Sequence, residues 1–279
     1  MTRTVIVGAG VAGIATAALL ARDGHDVVVL EKNARVGGRS GTMSRDGFRF
    51  DTGPSWYLMP SVFEHFFQMM GTSTDEQLDL RFLDPGYRVF SEPEPDGSHR
   101  EPLTVPLGRD GVLEAFRRVE PGSATALNGY LDSARRTNDL AERYFLYNPF
   151  TRLSSLLHRE VLTGIPRLAR LLSTSLESHV ARRFTDPVLR QVLGYPAVFL
   201  GTNPADAPAM YHLMSALDLD DGVRYPMGGF WHLIQRLEAL AVAAGARIVT
   251  NAEVLHIRTD RCPGLPVRGR RRRVAAVTW

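Results

Sequence analysis

The feature that most constrains this chain is the order of elements in its first 31 residues: a strand, three glycines, a helix, a second strand and an acid. Residues 4–7 form a β-branched run that is typical of a buried parallel strand. Gly8, Gly10 and Gly13 follow at the spacing that allows a tight turn, close approach of backbone N–H groups to a diphosphate, and close packing of helix on strand. Residues 11–22 predict the helix, whose N-terminus favours an anionic group.

The second strand and the acid complete the unit. Residues 27–30 predict a strand, and Glu31 follows it at the carboxyl end. A carboxylate at this place accepts hydrogen bonds from both hydroxyls of an adenosine ribose and disfavours a 2′-phosphate. Glycines at this spacing are a weak signal alone, and a structural βαβ unit that binds nothing is the alternative. The complete succession favours dinucleotide binding.

The composition limits the number of domains and argues against several other kinds of site. The 279 residues suffice for two domains, and a single Cys excludes a disulfide framework or a Cys-rich metal site. The eight His show no metal-ligand spacing either, so we predict no metal. The net charge of +3 comes from residues 258–279, which hold seven Arg and one Asp and leave 26 basic and 29 acidic residues elsewhere. We therefore predict no nucleic-acid partner.

Two segments after the second strand indicate which kind of dinucleotide-binding protein the chain resembles. Residues 35–39 contain a Gly-Gly pair and Arg39, which suits a phosphate or an adenine face. Residues 47–51 alternate like a strand and lead into Thr-Gly-Pro, although a plain β-hairpin has the same pattern. Together, residues 31–39 and 50–54 resemble the FAD-binding segment of amine-oxidase-like flavoproteins. Residues 51–57 are similar to carotenoid desaturases of the bacterial phytoene desaturase type.

The resemblance extends in order through residues 200–231 and implies FAD as the cofactor. It implies an α/β fold: a Rossmann-type FAD-binding domain with an inserted, mainly helical α+β substrate domain, incomplete at the C-terminus. The expected domains are 1–84 and 226–279 for FAD and 85–225 for the substrate. The implied cofactor-binding positions are Gly8, Ala9, Gly10, Gly13, Glu31, Lys32, Gly38, Arg39, Asp51, Thr52, Gly53, Pro54 and Val254.

The inserted region has a helical pattern. A strand pair at residues 87–90 and 103–105 opens it, and residues 110–200 read as helices, with Pro166 expected to separate two of them. Leu residues at three- and four-residue steps alternate with Arg159, Arg167 and Arg170, which indicates surface helices or a basic amphipathic surface on an anionic membrane. By resemblance Glu160 is a candidate for acid–base catalysis; a solvated helix charge is the alternative reading.

The resemblance implies FAD-dependent desaturation of a carotenoid precursor such as phytoene. Other enzymes on the same scaffold, such as a carotenoid oxygenase, a ketolase or an amine oxidase, stay open, as does an inactive FAD-binding fragment. The implied partners are a long polyene and a membrane surface, with the protein in the cytoplasm at the inner face of the membrane. Since the pattern stops at residue 279, we expect a further C-terminal half or a partner chain, and no activity from this chain alone.

Overall fold

The computed structural model describes residues 3–93, 96–148, 150, 158–261 and 272–278. It divides into two compact units, one of Met1–Arg81 with Tyr225–Trp279 and one of Phe82–Arg224. The sequence placed the domain boundaries after residues 84 and 225. The assignment of the first unit to FAD and of the second to a substrate stays a prediction.

The described residues form strands and helices that alternate in groups along the chain. The strands are β1 (Arg3–Val7), β2 (Asp26–Leu30), β3 (Thr42–Arg45), β4 (Phe48–Asp51), β5 (Leu80–Phe82), β6 (Tyr87–Val89), β7 (Leu103–Val105), β8 (Arg224–Pro226), β9 (Arg247–Val249), β10 (His256–Arg261) and β11 (Arg272–Thr278). The helices are α1 (Val11–Arg22), α2 (Pro60–Met69), α3 (Thr74–Gln77), α4 (Arg109–Val119), α5 (Ser123–Ala141), α6 (Arg159–Ser173), α7 (Leu176–Ala181), α8 (Pro187–Gly194) and α9 (Phe230–Ala243).

The first unit is built on a parallel sheet with the strand order β1-β2-β9. Val27 and Val29 of β2 point to one face, where α1 and α9 cover them. Val28 and Leu30 point to the other face and pack against the segment that contains Ala252. A strand buried on both faces reads as a continuous apolar run, which is the pattern that predicted β2.

Two antiparallel hairpins also belong to this unit. In the first, β3 pairs with β4 through an Asp46-Gly47 turn in which both residues have positive φ, as a tight hairpin turn requires. In the second, β10 pairs with β11. Residues 262–271, which connect β10 to β11 and hold part of the Arg-rich segment, lie outside the described residues.

The second unit opens with the expected antiparallel pair of β6 and β7. Helices α4, α5, α7 and α8 then surround an apolar core that includes Phe116, Leu131 and Phe184. No helix in the described part of the chain is long and apolar enough to cross a membrane.

The expectation of two helices divided at Pro166 is wrong, because α6 continues through this residue. A proline inside a helix leaves the carbonyl four residues earlier, that of Leu162, without its donor. Both Pro166 and Leu162 are exposed, so water can solvate this carbonyl and the helix persists. Of the leucines that suggested the helical pattern, those at 153, 156 and 157 lie outside the described residues.

Candidate functional site

The glycine turn of the first unit has the geometry that its spacing predicts. Gly8 adopts a φ of 96° and donates its N–H to the carbonyl of Leu30 at 2.8 Å. A Cβ on Gly13 would lie 2.0 Å from the Gly8 carbonyl oxygen, so this position must be glycine for α1 to pack against the turn. At Gly10, by contrast, a Cβ would meet no atom within 4 Å. The glycine turn therefore leaves no space for a side chain at Gly13, where α1 packs against it, but leaves space at Gly10, the residue that precedes α1.

The N-terminus of α1 is suited to an anion. The helix follows Gly10, which offers no side chain to accept hydrogen bonds from the N–H groups of the first turn. These donors and the positive end of the helix dipole favour a phosphate at this position. The second glycine segment lies alongside, because Gly37 donates its N–H to the Ala9 carbonyl at 2.8 Å and Gly38 approaches the Gly10 backbone.

Glu31 is buried at the carboxyl end of β2, with 4% of its surface exposed. One carboxylate oxygen accepts the Ala9 N–H at 2.7 Å, and the other accepts the N–H and the side-chain amide of Asn33 at 2.9 and 2.7 Å. Burial opposes ionisation of Glu31, but these hydrogen bonds outweigh it and hold the pKa of the carboxyl below its usual range. The group is therefore an ionised acceptor directed at the glycine turn.

Three of the roughly four lone-pair sites of this carboxylate are already used within the chain. Glu31 has room for about one further hydrogen bond, unless the Asn33 side chain turns away. The sequence predicted that Glu31 accepts hydrogen bonds from both ribose hydroxyls, and it did not identify Asn33 as a donor to the same carboxylate. The position of Asn33, two residues after the acid, could have suggested this contact, because Asn side chains form local hydrogen bonds in turns.

The segments around Arg39 and Gly53 are brought together. A Cβ on Gly53 would lie 1.9 Å from the Arg39 carbonyl oxygen, and Thr52 donates its N–H to Gly41 at 3.0 Å. The predicted positions at Lys32, Gly38, Arg39, Thr52, Gly53 and Pro54 are all exposed. They lie in the unit that holds the glycine turn and are accessible to a ligand.

Val254 lies near the strand end that carries Glu31. Ala252 donates its N–H to the Glu31 carbonyl at 2.9 Å, and Val254 packs on the β2 residues Val28 and Leu30. The backbone of residues 252–254 therefore runs beside the carboxyl end of β2, where an adenosine is expected.

Asp51 has a partner that the sequence did not reveal. Its carboxylate oxygens accept the backbone N–H groups of Phe230 and Trp231, the first two residues of α9, at 2.9 and 3.3 Å. The carboxylate therefore caps a helix rather than pointing freely to solvent.

Glu160 belongs to the second unit and is a surface residue of α6. Its side chain is 60% exposed and forms an ion pair with Arg143 at 3.2 Å and a hydrogen bond from the Tyr144 hydroxyl at 2.8 Å. These are features of a solvated helix charge. The catalytic role implied by the resemblance stays a prediction that this geometry does not favour.

The second unit also contains a buried polar cluster that the sequence did not reveal. His212 is fully buried, with Nδ1 2.9 Å from the Ala209 carbonyl oxygen and Nε2 2.9 Å from the Ser133 hydroxyl. The carbonyl places the proton on Nδ1, so Nε2 accepts from Ser133. The ring of His179 lies 5.0 Å from that of His212, and Tyr130 contacts both rings.

Burial is the main cause of low pKa values in this cluster. It lowers the pKa of His212 to about 4 and, with the nearby Arg183, lowers that of His179 to about 3. Burial also raises the pKa of Asp218 to about 7, where the Tyr87 hydroxyl donates to the carboxyl at 3.2 Å. No group of three or more His, Cys, Asp or Glu among the residues that the structure describes is arranged to hold a metal ion.

The residues present in the first unit fit a dinucleotide cofactor. The open position at Gly10, the uncapped start of α1 and the buried ionised carboxylate of Glu31 supply a diphosphate site and a ribose acceptor on one strand–helix–strand unit. The fold and the site thus define a dinucleotide-binding α/β protein.

Comparison with known proteins gives the family. Residues 11–277 match the profile described as "Flavin containing amine oxidoreductase". The chain therefore belongs to this family, and its cofactor is FAD.

The relatives include a carotenoid 3,4-desaturase from Haloarcula japonica, which is 39% identical over 252 residues, or 90% of this chain and 50% of that protein. A 4,4′-diapophytoene desaturase from Staphylococcus aureus is 29% identical over 92% of this chain and 50% of its own length. The chain thus spans about half the length of the curated relatives it matches. Cyclohexylamine oxidase from Brevibacterium oxydans has a similar fold, with a TM-score of 0.53 and 19% identity over 93% of this chain and 53% of that one.

Proposed function

We propose that the protein is an FAD-dependent desaturase of a long carotenoid-like polyene, such as phytoene. The observation that carries this proposal is the 39% identity to a carotenoid 3,4-desaturase over 90% of the chain. The diphosphate site and the ribose acceptor of the first unit support it, because they supply the cofactor site that such a reaction needs.

Desaturation removes a hydride and a proton from adjacent carbons of the polyene. FAD, when bound, would accept the hydride, and a base or solvent would take the proton. The residues of this chain would bind and orient FAD: the first turn of α1 would hold the diphosphate, Glu31 would hold the ribose, and the exposed residues 52–54 would lie beside it near Arg39. In this scheme the protein mainly positions the reactants, which fits the exposed position of Glu160 on α6.

Binding of FAD depends on the charge of Glu31. We expect Glu31→Gln to raise the dissociation constant for FAD by about 10- to 100-fold, because the amide cannot accept all three N–H groups that the carboxylate accepts. NADP should not compete with FAD for the wild-type chain. Fluorescence titration of the flavin measures both results. Glu76→Gln is the control, since Glu76 is exposed in the same unit and lies outside the predicted cofactor-binding positions; equal affinities of the two variants would contradict the assignment.

The proposed location is the inner face of the cytoplasmic membrane, where such a polyene dissolves. The support is a set of apolar side chains of the second unit that face solvent: Leu146, Tyr147, Phe150, Leu162, Ile165 and Leu172. Arg159 and Arg170 are exposed on α6, but Arg167 is turned inward and donates to Thr137 at 2.7 Å. The exposed side chains on and near α6 are therefore more apolar and less basic than the sequence pattern indicated.

Replacement of two of these apolar residues should release the chain from vesicles. We expect Ile165→Asp with Leu172→Asp to lower the fraction bound to vesicles of mixed neutral and anionic lipid at least 10-fold, because each apolar side chain gains roughly 1.5–3 kcal/mol on full burial. Flotation with the vesicles measures this fraction. Val242→Asp, at an equally exposed apolar residue of the other unit, should bind as the wild type does. If both variants bind equally well, membrane docking through α6 is wrong.

The activity itself is tested by anaerobic bleaching of the bound flavin. A lipid-dispersed carotenoid should bleach the flavin when the chain is co-expressed with the C-terminal half of the related carotenoid 3,4-desaturase, and chromatography should show a product with an additional double bond. Cyclohexylamine should not bleach it. Bleaching by the amine and not by the carotenoid would support an amine oxidase instead. FAD binding without bleaching by either compound would support a non-catalytic FAD-binding protein.

A further inference from the structure

Asp51 connects two parts of the first unit that are far apart in sequence. It is the last residue of β4, and its carboxylate accepts the N–H groups of Phe230 and Trp231, 179 and 180 residues away. Gly229, which immediately precedes α9, offers no side chain to cap the helix. Asp51 therefore supplies from a distant hairpin the cap that the helix lacks locally.

The residue before α9 is fitted to this contact. Gly229 has a φ of 83°, which favours glycine, and a Cβ there would lie 2.8 Å from one Asp51 carboxylate oxygen and 3.0 Å from the other. Any side chain at position 229 would push the carboxylate away from the two N–H groups. The turn at Gly229 and the Asp51 carboxylate thus lie in close contact.

This contact holds together segments that contain predicted cofactor-binding residues. On one side, residues 52 and 53 follow Asp51 and lie against Gly41 and Arg39. On the other, the Ile234 side chain of α9 approaches to 3.5 Å from the position that a Cβ on Gly37 would take. A displacement of the start of α9 would therefore alter the positions of both the Arg39 segment and the pair Gly37-Gly38 beside Gly10.

We propose that Asp51 is a positioning residue: its carboxylate anchors the N-terminus of α9 and so sets the geometry of the flavin site without contacting the cofactor. The proposal rests on the FAD-binding function proposed above. Both carboxylate oxygens already accept N–H groups, and the negative charge lies at the positive end of the α9 dipole. The resemblance counted Asp51 among the cofactor-binding positions; its hydrogen bonds to the start of α9 point to a positioning role instead.

The test compares Asp51→Asn and Asp51→Ala with Asp46→Asn in the full 279-residue chain. Asp46 is the matched control, because it lies in the turn of the same hairpin and is exposed. In Asp51→Ala we expect amide exchange at Phe230 and Trp231, measured by NMR, to rise about 10-fold, and the dissociation constant for FAD to rise by a similar factor. Asp51→Asn should fall between wild type and Asp51→Ala, because its carbonyl oxygen still accepts one N–H. The absorption spectrum and the reduction potential of the bound flavin should not change.

Three results would overturn the proposal. The first is a change in flavin spectrum or potential in Asp51→Asn with unchanged exchange at Phe230 and Trp231, which would make Asp51 a direct ligand. The second is behaviour of the Asp51 variants identical to that of Asp46→Asn. The third is additive loss in Asp51→Ala combined with Gly229→Ala, since residues acting through one contact are not additive. If the wild type does not bind FAD, the FAD-binding function fails, and the exchange rates still decide whether Asp51 anchors α9.

Discussion

Gly13→Ala is expected to destabilise the chain by about 3 kcal/mol and to abolish FAD binding. The new methyl carbon would lie 2.0 Å from the Gly8 carbonyl oxygen, and this neighbour is backbone that cannot rotate away. Helix α1 would have to move off the sheet, although its residues Ile14, Ala17 and Ala18 are fully buried in the core. The free energy of unfolding in urea and an FAD titration measure the two effects.

Gly10→Ala separates binding from folding. Gly10 has a φ of −78° that alanine also adopts, and a Cβ there meets no atom of the chain within 4 Å. The free energy of unfolding should therefore stay within about 1 kcal/mol of wild type, while FAD affinity falls about 100-fold because the methyl group occupies the approach of the diphosphate. Gly129→Ala, in the open interior of α5, serves as the control for both measurements. Wild-type FAD affinity in Gly10→Ala would contradict the diphosphate site.

The second large effect is a loss of stability in acid that originates in the buried histidine cluster. In the folded chain His212 stays neutral down to about pH 4, whereas in the unfolded chain it takes up a proton below its ordinary pKa of 6.5. The unfolded state thus binds more protons between these values, so stability falls as the pH decreases from 6.5 to 4. Over the whole window His212 alone accounts for roughly 3 kcal/mol.

Three buried groups of the second unit, His212, His179 and Asp218, titrate in this window with different signs. His179 acts in the same direction as His212, because burial and Arg183 also lower its pKa. Asp218 acts in the opposite direction: it keeps its proton in the folded chain up to about pH 7, and the unfolded chain loses that proton above an ordinary pKa of 3.8. Relative to the folded state, the unfolded state therefore binds two more protons at the histidines and one fewer at the aspartate. The net difference of one proton makes stability fall by about 1.4 kcal/mol for each unit by which the pH decreases.

Replacing His212 should therefore flatten this dependence. We expect His212→Gln to lower stability at pH 7.5, through lost packing and hydrogen bonding with Ser133, and to reduce the slope between pH 4.5 and 6.5 to near zero. Urea unfolding at several pH values measures the slope. His99→Gln, at an exposed position of the same unit, should keep the wild-type slope. An unchanged slope in His212→Gln would show that the acid sensitivity lies elsewhere.

The local elements of the first unit were predictable from sequence because short-range rules determine them. The apolar runs of β1 and β2 and the glycines around Gly10 predicted β1, α1 and β2 with bounds that the structure reproduces to within one residue. The helix rules failed at Pro166, because the cost of a missing donor depends on whether water can reach the Leu162 carbonyl. Exposure of that kind is a property of the packed chain.

The sequence by itself determined that this chain makes a strand–helix–strand dinucleotide unit with an acid at Glu31, since those signals lie within 31 consecutive residues. Only the tertiary structure decided where the other charges point. It turns Arg167 into the second unit, leaves Glu160 in solvent, and directs Asp51 to a helix 179 residues away. The physical reason is that a charged side chain is held by whichever donor or acceptor packing brings within about 3 Å, and nothing in the local sequence specifies that partner.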